Sequence, residues 1–182
     1  TMTYFSSWGP CDDGRIKPDV VANGYTVYSP IDTSTSSYVN MNGTSMATPS
    51  TAGSAALLAQ LYAREFSGQW MRASLLKGLL IHTADDLGTA GPDYKFGWGL
   101  INVKAAADVI LAHKASLASS PKLFTNSVSA AVAGQTNTCI WDGTSPIRVT
   151  LCWTDPAGTV QADNSRTPNL RHNLDLRVTA PD

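Results

Sequence analysis

The spacing of apolar positions changes near residue 115. Between about residues 45 and 112, apolar residues recur every three or four positions, and glycine-rich turns separate the runs. Beyond residue 116 apolar and polar residues alternate, as in strands with one buried face. The sequence therefore predicts a helix-containing domain over residues 1–115 and a strand-rich domain over residues 116–182.

The first predicted helix covers Ser45 to Ala63 and is apolar on nearly every side, which predicts that it is buried all round. Its start has two interpretations. Thr44 or Ser45 caps the helix and Pro49 bends its first turns, or Thr48 is the cap and Pro49 occupies the first helical position.

Two further helices are expected downstream. Gly68 is a suitable residue to end the first helix. A second helix is predicted over about residues 70–83, where leucines form one apolar stripe. A third helix is predicted to begin near Asn102, a good N-cap residue, and its apolar positions are Val103, Ala106, Ala107, Ile110 and Leu111.

Three alternating segments give the downstream half its strand character. Their apolar positions are Phe124, Val128, Ala130 and Val132; Ile147, Val149, Leu151 and Trp153; and Leu174, Leu176 and Val178. These segments predict an antiparallel β-sandwich. Three or four strands are few for a sandwich, which predicts that this second domain is incomplete.

Composition excludes several classes of protein. Hydrophobic residues make up 43% of the chain and charged residues 15%, values that fit a folded chain better than a disordered one. The net charge of −1, without a basic cluster, gives no reason to expect a nucleic-acid partner. No apolar run reaches the roughly 18–20 residues that span a bilayer, so no membrane segment is predicted.

The three cysteines, Cys11, Cys139 and Cys152, have no CxxC spacing, which argues against a structural zinc site. Cys139 and Cys152 lie in the strand-rich half at a spacing that suits a disulfide. The favoured alternative is that the cysteines are small buried apolar residues.

The segment Asn42–Pro49 carries the most specific chemistry. An extended segment there meets a glycine turn at Gly43, and Ser45 follows where the first helix begins. A helix N-terminus offers free backbone N–H groups and positive potential, which suit a nucleophile beside a developing oxyanion. Spacing alone favours the plainer interpretation, a capping serine on a core helix.

Four blocks resemble the subtilisin-like serine proteases (the subtilases, peptidase family S8) and occur in that family's order. They are Phe5–Pro10 (FSSWGP), Lys17–Ala22 (KPDVVA), Gly43–Pro49 (GTSMATP) and Phe96–Asn102 (FGWGLIN). The resemblance implies an α/β fold: the C-terminal portion of a subtilisin-like three-layer parallel-sheet domain.

The same resemblance assigns roles around the glycine turn. Ser45 matches the family's nucleophile, and its backbone N–H would be one oxyanion donor, with Gly43 and Thr44 in support. In this family the triad aspartate, the histidine base and the oxyanion asparagine all precede the serine. The family's aspartate and histidine motifs do not occur in residues 1–44, which contain no histidine. We therefore expect the triad partners to lie outside this chain, and the isolated chain to be inactive.

The histidines that the chain does contain are expected to be poor bases. His82 follows an apolar helical run, His113 lies at the end of the third helix, and His172 lies in the strand-rich half. The missing N-terminal part of the protease domain, in cis or as a separate chain, is the expected partner. The loop Asp32–Ser37 is either a solvated loop or part of the rim of the substrate cleft.

Residues after 116 resemble the jelly-roll β-sandwich domain that follows the catalytic domain in some subtilases. The segments Val149–Gly158 and Asn173–Val178 carry this resemblance. Such domains are expected to stabilise the catalytic domain, sometimes with calcium. The candidate oxygen ligands are Asp155, Asp163, Asn164, Asn173 and Asp175, and the alternative is that they form Asx turns.

The resemblance implies a secreted or extracellular serine endopeptidase with polypeptide substrates. It needs no cofactor for its chemistry, and calcium is an option only as a structural ion. The first alternative is a non-catalytic pseudoprotease, or a module whose β-sandwich binds or stabilises another protein. The second is a two-chain enzyme whose halves associate after processing.

Overall fold

The computed structural model describes residues 1–129, 131–132 and 134–180. Its elements are, in order, β1 (Val27–Pro30), β2 (Tyr38–Met41), α1 (Thr44–Glu65), α2 (Ala73–Thr83) and α3 (Val103–Ala115). Strands β1 and β2 form an antiparallel hairpin. Within the described ranges, none of the helices has both the length and the apolar character needed to cross a membrane.

Helix α1 begins directly after Gly43 and contains Pro49, so the prediction that places Pro49 inside the first turns is confirmed. The interpretation with Thr48 as the cap is wrong. The N-cap position belongs to Gly43 and no side chain caps the helix, so the expectation that Thr44 or Ser45 is the cap is also wrong. At the other end, the N–H of Gly68 donates to the carbonyl of Ala63 at 2.7 Å. The helix itself ends at Glu65 with Phe66 as the C-cap, and Ser67 already has a left-handed φ of 54°. Gly68, with a φ of 82°, therefore follows the helix end rather than defining it.

Helix α3 is capped as the sequence predicts. The side chain of Asn102 accepts a hydrogen bond from the backbone N–H of Ala105 at 2.9 Å. Its amide also donates to the carboxylate of Asp85, at 3.1 and 3.2 Å to the two oxygens. Helix α2 begins a little later than expected, because Arg72 still has an extended backbone.

The three helices meet in one small core. Its fully buried members are Leu58 from α1, Leu79 from α2, and Ala106 and Ile110 from α3. Leu79, Ala106 and Ile110 are among the apolar positions that the spacing of the second and third helices predicts. Partly buried neighbours such as Phe66 surround them.

The prediction that α1 is buried all round is wrong for this chain. Leu58 is only 1% exposed, but the adjacent Leu57 is 63% exposed. Ala56 and Gln60 are exposed on the same side. The other helices cover one side of α1, and among the described residues nothing packs on the other. The exposed side of α1, together with Trp70, which is 82% exposed, is called the open α1 face below.

Two of the four family-like blocks lie side by side. Val21 and Leu100 form a parallel bridge, with the N–H of Ile101 donating to the carbonyl of Val21 at 3.0 Å. Asp19, just upstream of Val21, accepts a hydrogen bond from Lys17. Its carboxylate also forms an ion pair with Lys77 on α2, whose Nζ lies 3.1 Å from the Asp19 Oδ1. This bridge is the parallel pairing seen in the described residues, and it is consistent with an α/β fold.

The downstream half contains few regular elements. In the described residues after 116 the structure has one isolated bridge, Ser129 to Val132, and no longer strand. Ala130, which belongs to the predicted alternation, lies outside the described residues. The jelly-roll fold and the domain boundary after residue 115 therefore stay predictions. All three cysteines are free thiols; Cys139 is exposed, which is contrary to the buried role expected for it.

Candidate active site

The glycine turn before α1 depends on two glycines. Gly43 has a φ of 155°, in the region that side chains disfavour. Its N–H donates to the carbonyl of Gly24 at 2.8 Å, so the two backbones touch. A Cβ atom added at Gly24 would lie 2.5 Å from the Gly43 carbonyl oxygen. Only glycine fits position 24 without displacing the turn.

A second bond ties the turn to the base of the β1–β2 hairpin. The backbone N–H of Thr26 donates to the side-chain oxygen of Asn42 at 2.5 Å. Asn42 is the residue between β2 and Gly43. The hairpin and the turn are therefore linked by contacts to Gly24 and Thr26 as well as through the chain itself.

Ser45 lies in the first turn of α1 and is exposed to solvent. Its position agrees with a nucleophile and excludes a residue packed in a core. In the described part of the chain, the Ser45 hydroxyl makes no hydrogen bond and the Ser45 N–H has no backbone acceptor. No acidic residue occupies the first turn, so the positive end of the helix dipole is not neutralised there. Thr44, also exposed, is the helical residue before it.

Pro49 affects the backbone of the same residue. In an α-helix the N–H of position 49 would bond to the carbonyl of position 45, and proline has no N–H. The carbonyl of Ser45 therefore lacks its usual helical partner. The first turn of α1 holds Ser45 by fewer backbone bonds than an ordinary helix would provide.

All three histidines are engaged elsewhere. The Nδ1 atom of His82 lies 2.9 Å from the Thr150 hydroxyl, and the carbonyl of His82 accepts a hydrogen bond from Arg148. Burial, together with the Arg148 guanidinium, lowers the pKa of His82 below its ordinary value of 6.5. These contacts attach the segment around residue 150 to α2.

The other two imidazoles have partners of their own. The buried His113 accepts hydrogen bonds at Nδ1 from the backbone N–H groups of Lys122 and Leu123, at 3.1 and 3.3 Å. Burial lowers the pKa of His113 below 6.5. His172 pairs with Asp155 at 2.7 Å. In the described residues, no imidazole is hydrogen-bonded to Ser45.

Among the candidate calcium ligands, Asp155 has hydrogen-bond partners in the described residues. No group of three or more histidine, cysteine, aspartate or glutamate side chains within the described ranges is arranged to hold a metal. The carboxylate of Asp155 instead accepts hydrogen bonds from the ring of His172 and from the N–H of Arg171 at 2.6 Å. These bonds occupy lone pairs that a calcium ion would need. Calcium binding by the five candidate residues stays a prediction.

Sequence reasoning proposed Gly43, Thr44 and Ser45 as site residues but did not identify the residues that hold the turn in place. Gly24 and Asn42 hold the turn through backbone contacts across the hairpin. A glycine 21 positions before a candidate serine is too common to be a signal on its own. The close approach of two backbones becomes visible only in three dimensions.

Comparison with known proteins gives a consistent result. Residues 1–99 match the model of the subtilase family. A serine protease/ABC transporter B family protein (tagA) of Dictyostelium discoideum is 32% identical over 98% of this chain and 11% of that protein. Subtilisin DY of Bacillus licheniformis is 42% identical over 49% of this chain and 28% of its own length.

A solved structure shows the same fold. The CspB protease of Clostridium perfringens superposes with a TM-score of 0.54 at 24% identity, over 60% of this chain and 23% of that one. The chain thus spans between about a tenth and just over a quarter of the length of the relatives named here.

Proposed function

The chain belongs to the subtilase family of serine peptidases, and from this premise we propose that Ser45 is the nucleophile of a serine endopeptidase. The observation that carries the proposal is the placement of Ser45. It lies exposed in the first turn of α1, beside a glycine turn, with its own N–H free of backbone acceptors in the described residues. The substrate class is polypeptide.

The reaction would follow the acyl-enzyme route. The Ser45 Oγ attacks the carbonyl carbon of the scissile bond while its proton passes to an imidazole. The carbonyl oxygen becomes negative and accepts a hydrogen bond from the Ser45 N–H. The C–N bond then breaks, the amine takes the proton from the imidazolium, and an ester on Ser45 remains. Water hydrolyses the ester with the same imidazole as base, which restores the hydroxyl.

The base in this scheme comes from polypeptide outside the printed sequence. His82, His113 and His172 are each held by other partners, as described above. A serine without an adjacent base is a weak nucleophile at neutral pH. We therefore propose that the imidazole, its aspartate and an oxyanion amide belong to the remainder of the catalytic domain, in cis or on a second chain.

The open α1 face supports this arrangement. Apolar side chains such as Leu57 and Trp70 are exposed there, beside the exposed Ala56. A contiguous apolar surface of this kind usually marks a contact with another protein surface. We propose that the remainder of the catalytic domain covers this face and thereby brings the base to the N-terminal end of the same helix.

Two further features are proposed for the parent protein. It is secreted or extracellular, a location that suits an endopeptidase of this family. Residues after 116 form a stabilising domain, which is supported by the hydrogen bonds of Arg148 and Thr150 to His82 on α2.

A fluorophosphonate probe tests the assignment in the full-length protein, because it phosphonylates activated serines. We expect mass spectrometry to find the label on Ser45, and Ser45→Ala to abolish both labelling and proteolysis. Ser54→Ala is the matched control, because Ser54 lies on the same helix and its hydroxyl donates to the Ser50 carbonyl at 2.8 Å. Proteolysis that survives Ser45→Ala would refute the assignment, and no labelling at all would favour the non-catalytic alternative.

A further inference from the structure

Two tyrosines form a stacked pair on the β1–β2 hairpin. The ring centroids of Tyr28 and Tyr38 are 5.3 Å apart, with 25° between their planes. Tyr28 pairs with Asn40 and Tyr38 with Pro30, so the two tyrosines are diagonal neighbours on one face of the hairpin. Tyr28 is 67% exposed and Tyr38 is 52% exposed. This pair is called the tyrosine platform.

The platform is held in a fixed relation to the nucleophile. The four paired positions of β1 and β2 fix the hairpin, and the Thr26–Asn42 and Gly24–Gly43 bonds fix its base to the turn. Tyr38 precedes Ser45 by seven residues. A chain of seven residues spans at most about 25 Å, which is the upper limit on the distance between them.

The chemistry of the surface selects its occupant. Asp32 is the one charged residue in the sequence between Gly24 and Ser45. Two exposed aromatic faces without a cluster of charges suit another flat, weakly polar group. Aromatic side chains gain stacking energy on such rings, and a fixed pair loses little conformational freedom when it binds.

We propose that the tyrosine platform is a substrate subsite that takes an aromatic side chain of the polypeptide bound at Ser45. The proposal rests on the endopeptidase function proposed above and adds a specificity determinant to it. An extended peptide advances about 3.3 Å per residue, so a span of up to about 25 Å places that side chain within roughly seven residues of the scissile bond. The platform thus selects a residue within that range on one side of the cleaved bond.

A scan of peptide substrates locates the subsite. A peptide of roughly fourteen residues, seven on each side of the scissile bond, carries one tryptophan moved through its positions, with alanine at the others outside the cleavage site. The full-length protein is expected to cleave the best tryptophan peptide about 2- to 13-fold better, in kcat/KM, than the all-alanine peptide. This ratio is internal to each enzyme, so it does not depend on how much of the sample is active.

Two double variants test the residues. Y28V/Y38V removes the rings but keeps side chains that favour strands, and it is expected to bring the tryptophan-to-alanine ratio close to one. Y28F/Y38F keeps the rings and is expected to retain the ratio. Rates are expressed per Ser45 labelled by the fluorophosphonate, which corrects for any loss of folded protein.

The outcomes separate the two proposals. A ratio near one for the unmodified protein at every position, or a ratio that Y28V/Y38V leaves intact, would overturn the platform and leave the nucleophile assignment standing. Failure of the probe to label Ser45 in the unmodified protein would overturn the endopeptidase function and the platform with it.

Discussion

Gly24→Ala should slow the chemistry of Ser45 although residue 24 is far from it in sequence. The added Cβ would lie 2.5 Å from the Gly43 carbonyl oxygen, whereas ordinary contacts begin at 3.4 Å. The two backbones must therefore separate by about 0.9 Å, and overpacking of this kind costs about 1–3 kcal/mol. The displacement falls on the turn that leads directly into Ser45.

The expected effect on rate follows from that distance. A misplacement of about 1 Å at a reacting group can reduce the rate by about 100-fold. We expect the rate of fluorophosphonate labelling of Ser45 in the full-length Gly24→Ala variant to fall by about that factor. Circular dichroism and thermal unfolding on the same samples show whether the protein is still folded.

Gly134→Ala is the matched control, because a Cβ there meets nothing within 4 Å. It should label at the rate of the unmodified protein. If Gly24→Ala stays folded and also labels at the unmodified rate, then the contact between residues 24 and 43 does not position the nucleophile and the reasoning is refuted.

Three further predictions concern stability and are measured as the free energy of unfolding in urea. Asn102→Ala removes the α3 cap and should destabilise the protein by about 1 kcal/mol. Leu58→Ala should lower the free energy of unfolding by about 2–5 kcal/mol, because Leu58 is buried in the core. In the full-length protein, Leu57→Ala should lower it by more than about 1 kcal/mol, because we propose that the remainder of the domain covers Leu57. Stability should fall as the pH drops below 6.5, since the folded state lowers the pKa of His82 and His113 and the unfolded chain therefore binds protons first.

Each of these predictions has its own control. Asn102→Ser keeps a capping oxygen and should lose less than the alanine variant. A change below about 0.5 kcal/mol for Leu57→Ala would match an ordinary surface position and contradict a covered α1 face. The pH dependence should flatten in His82→Gln and His113→Gln, and an unchanged slope in both would contradict the assigned cause.

Local signals in the sequence predicted much of the helical part. The Asn102 cap and the leucine stripe of α2 each depend on residues within one or two turns, so a single sequence contains them. The burial of α1 was predicted wrongly because it depends on what packs against the helix, and among the described residues α2 and α3 cover only one side of it. Strand alternation after residue 116 is a weaker signal, because a strand is stable only when another strand pairs with it.

In the candidate site, too, neighbours along the chain could be predicted from the sequence, whereas residues that meet only in the fold could not. Gly43, Thr44 and Ser45 are contiguous, so a short motif identifies them. Gly24 and Asn42 act through hydrogen bonds across a hairpin, and the stacked tyrosines depend on strand register. None of these relations has a fixed spacing that could be recognised along one chain.

The open α1 face has a consequence for copies of the protein that are incompletely synthesised or wrongly assembled. We propose that one contact both covers Leu57 and brings the imidazole to Ser45. A partly synthesised or wrongly assembled copy would therefore lack the cover and the base at the same time. Under the function proposed above, such a copy would expose an apolar surface and would also be inactive. Exposure of the helix and absence of proteolysis would therefore occur together.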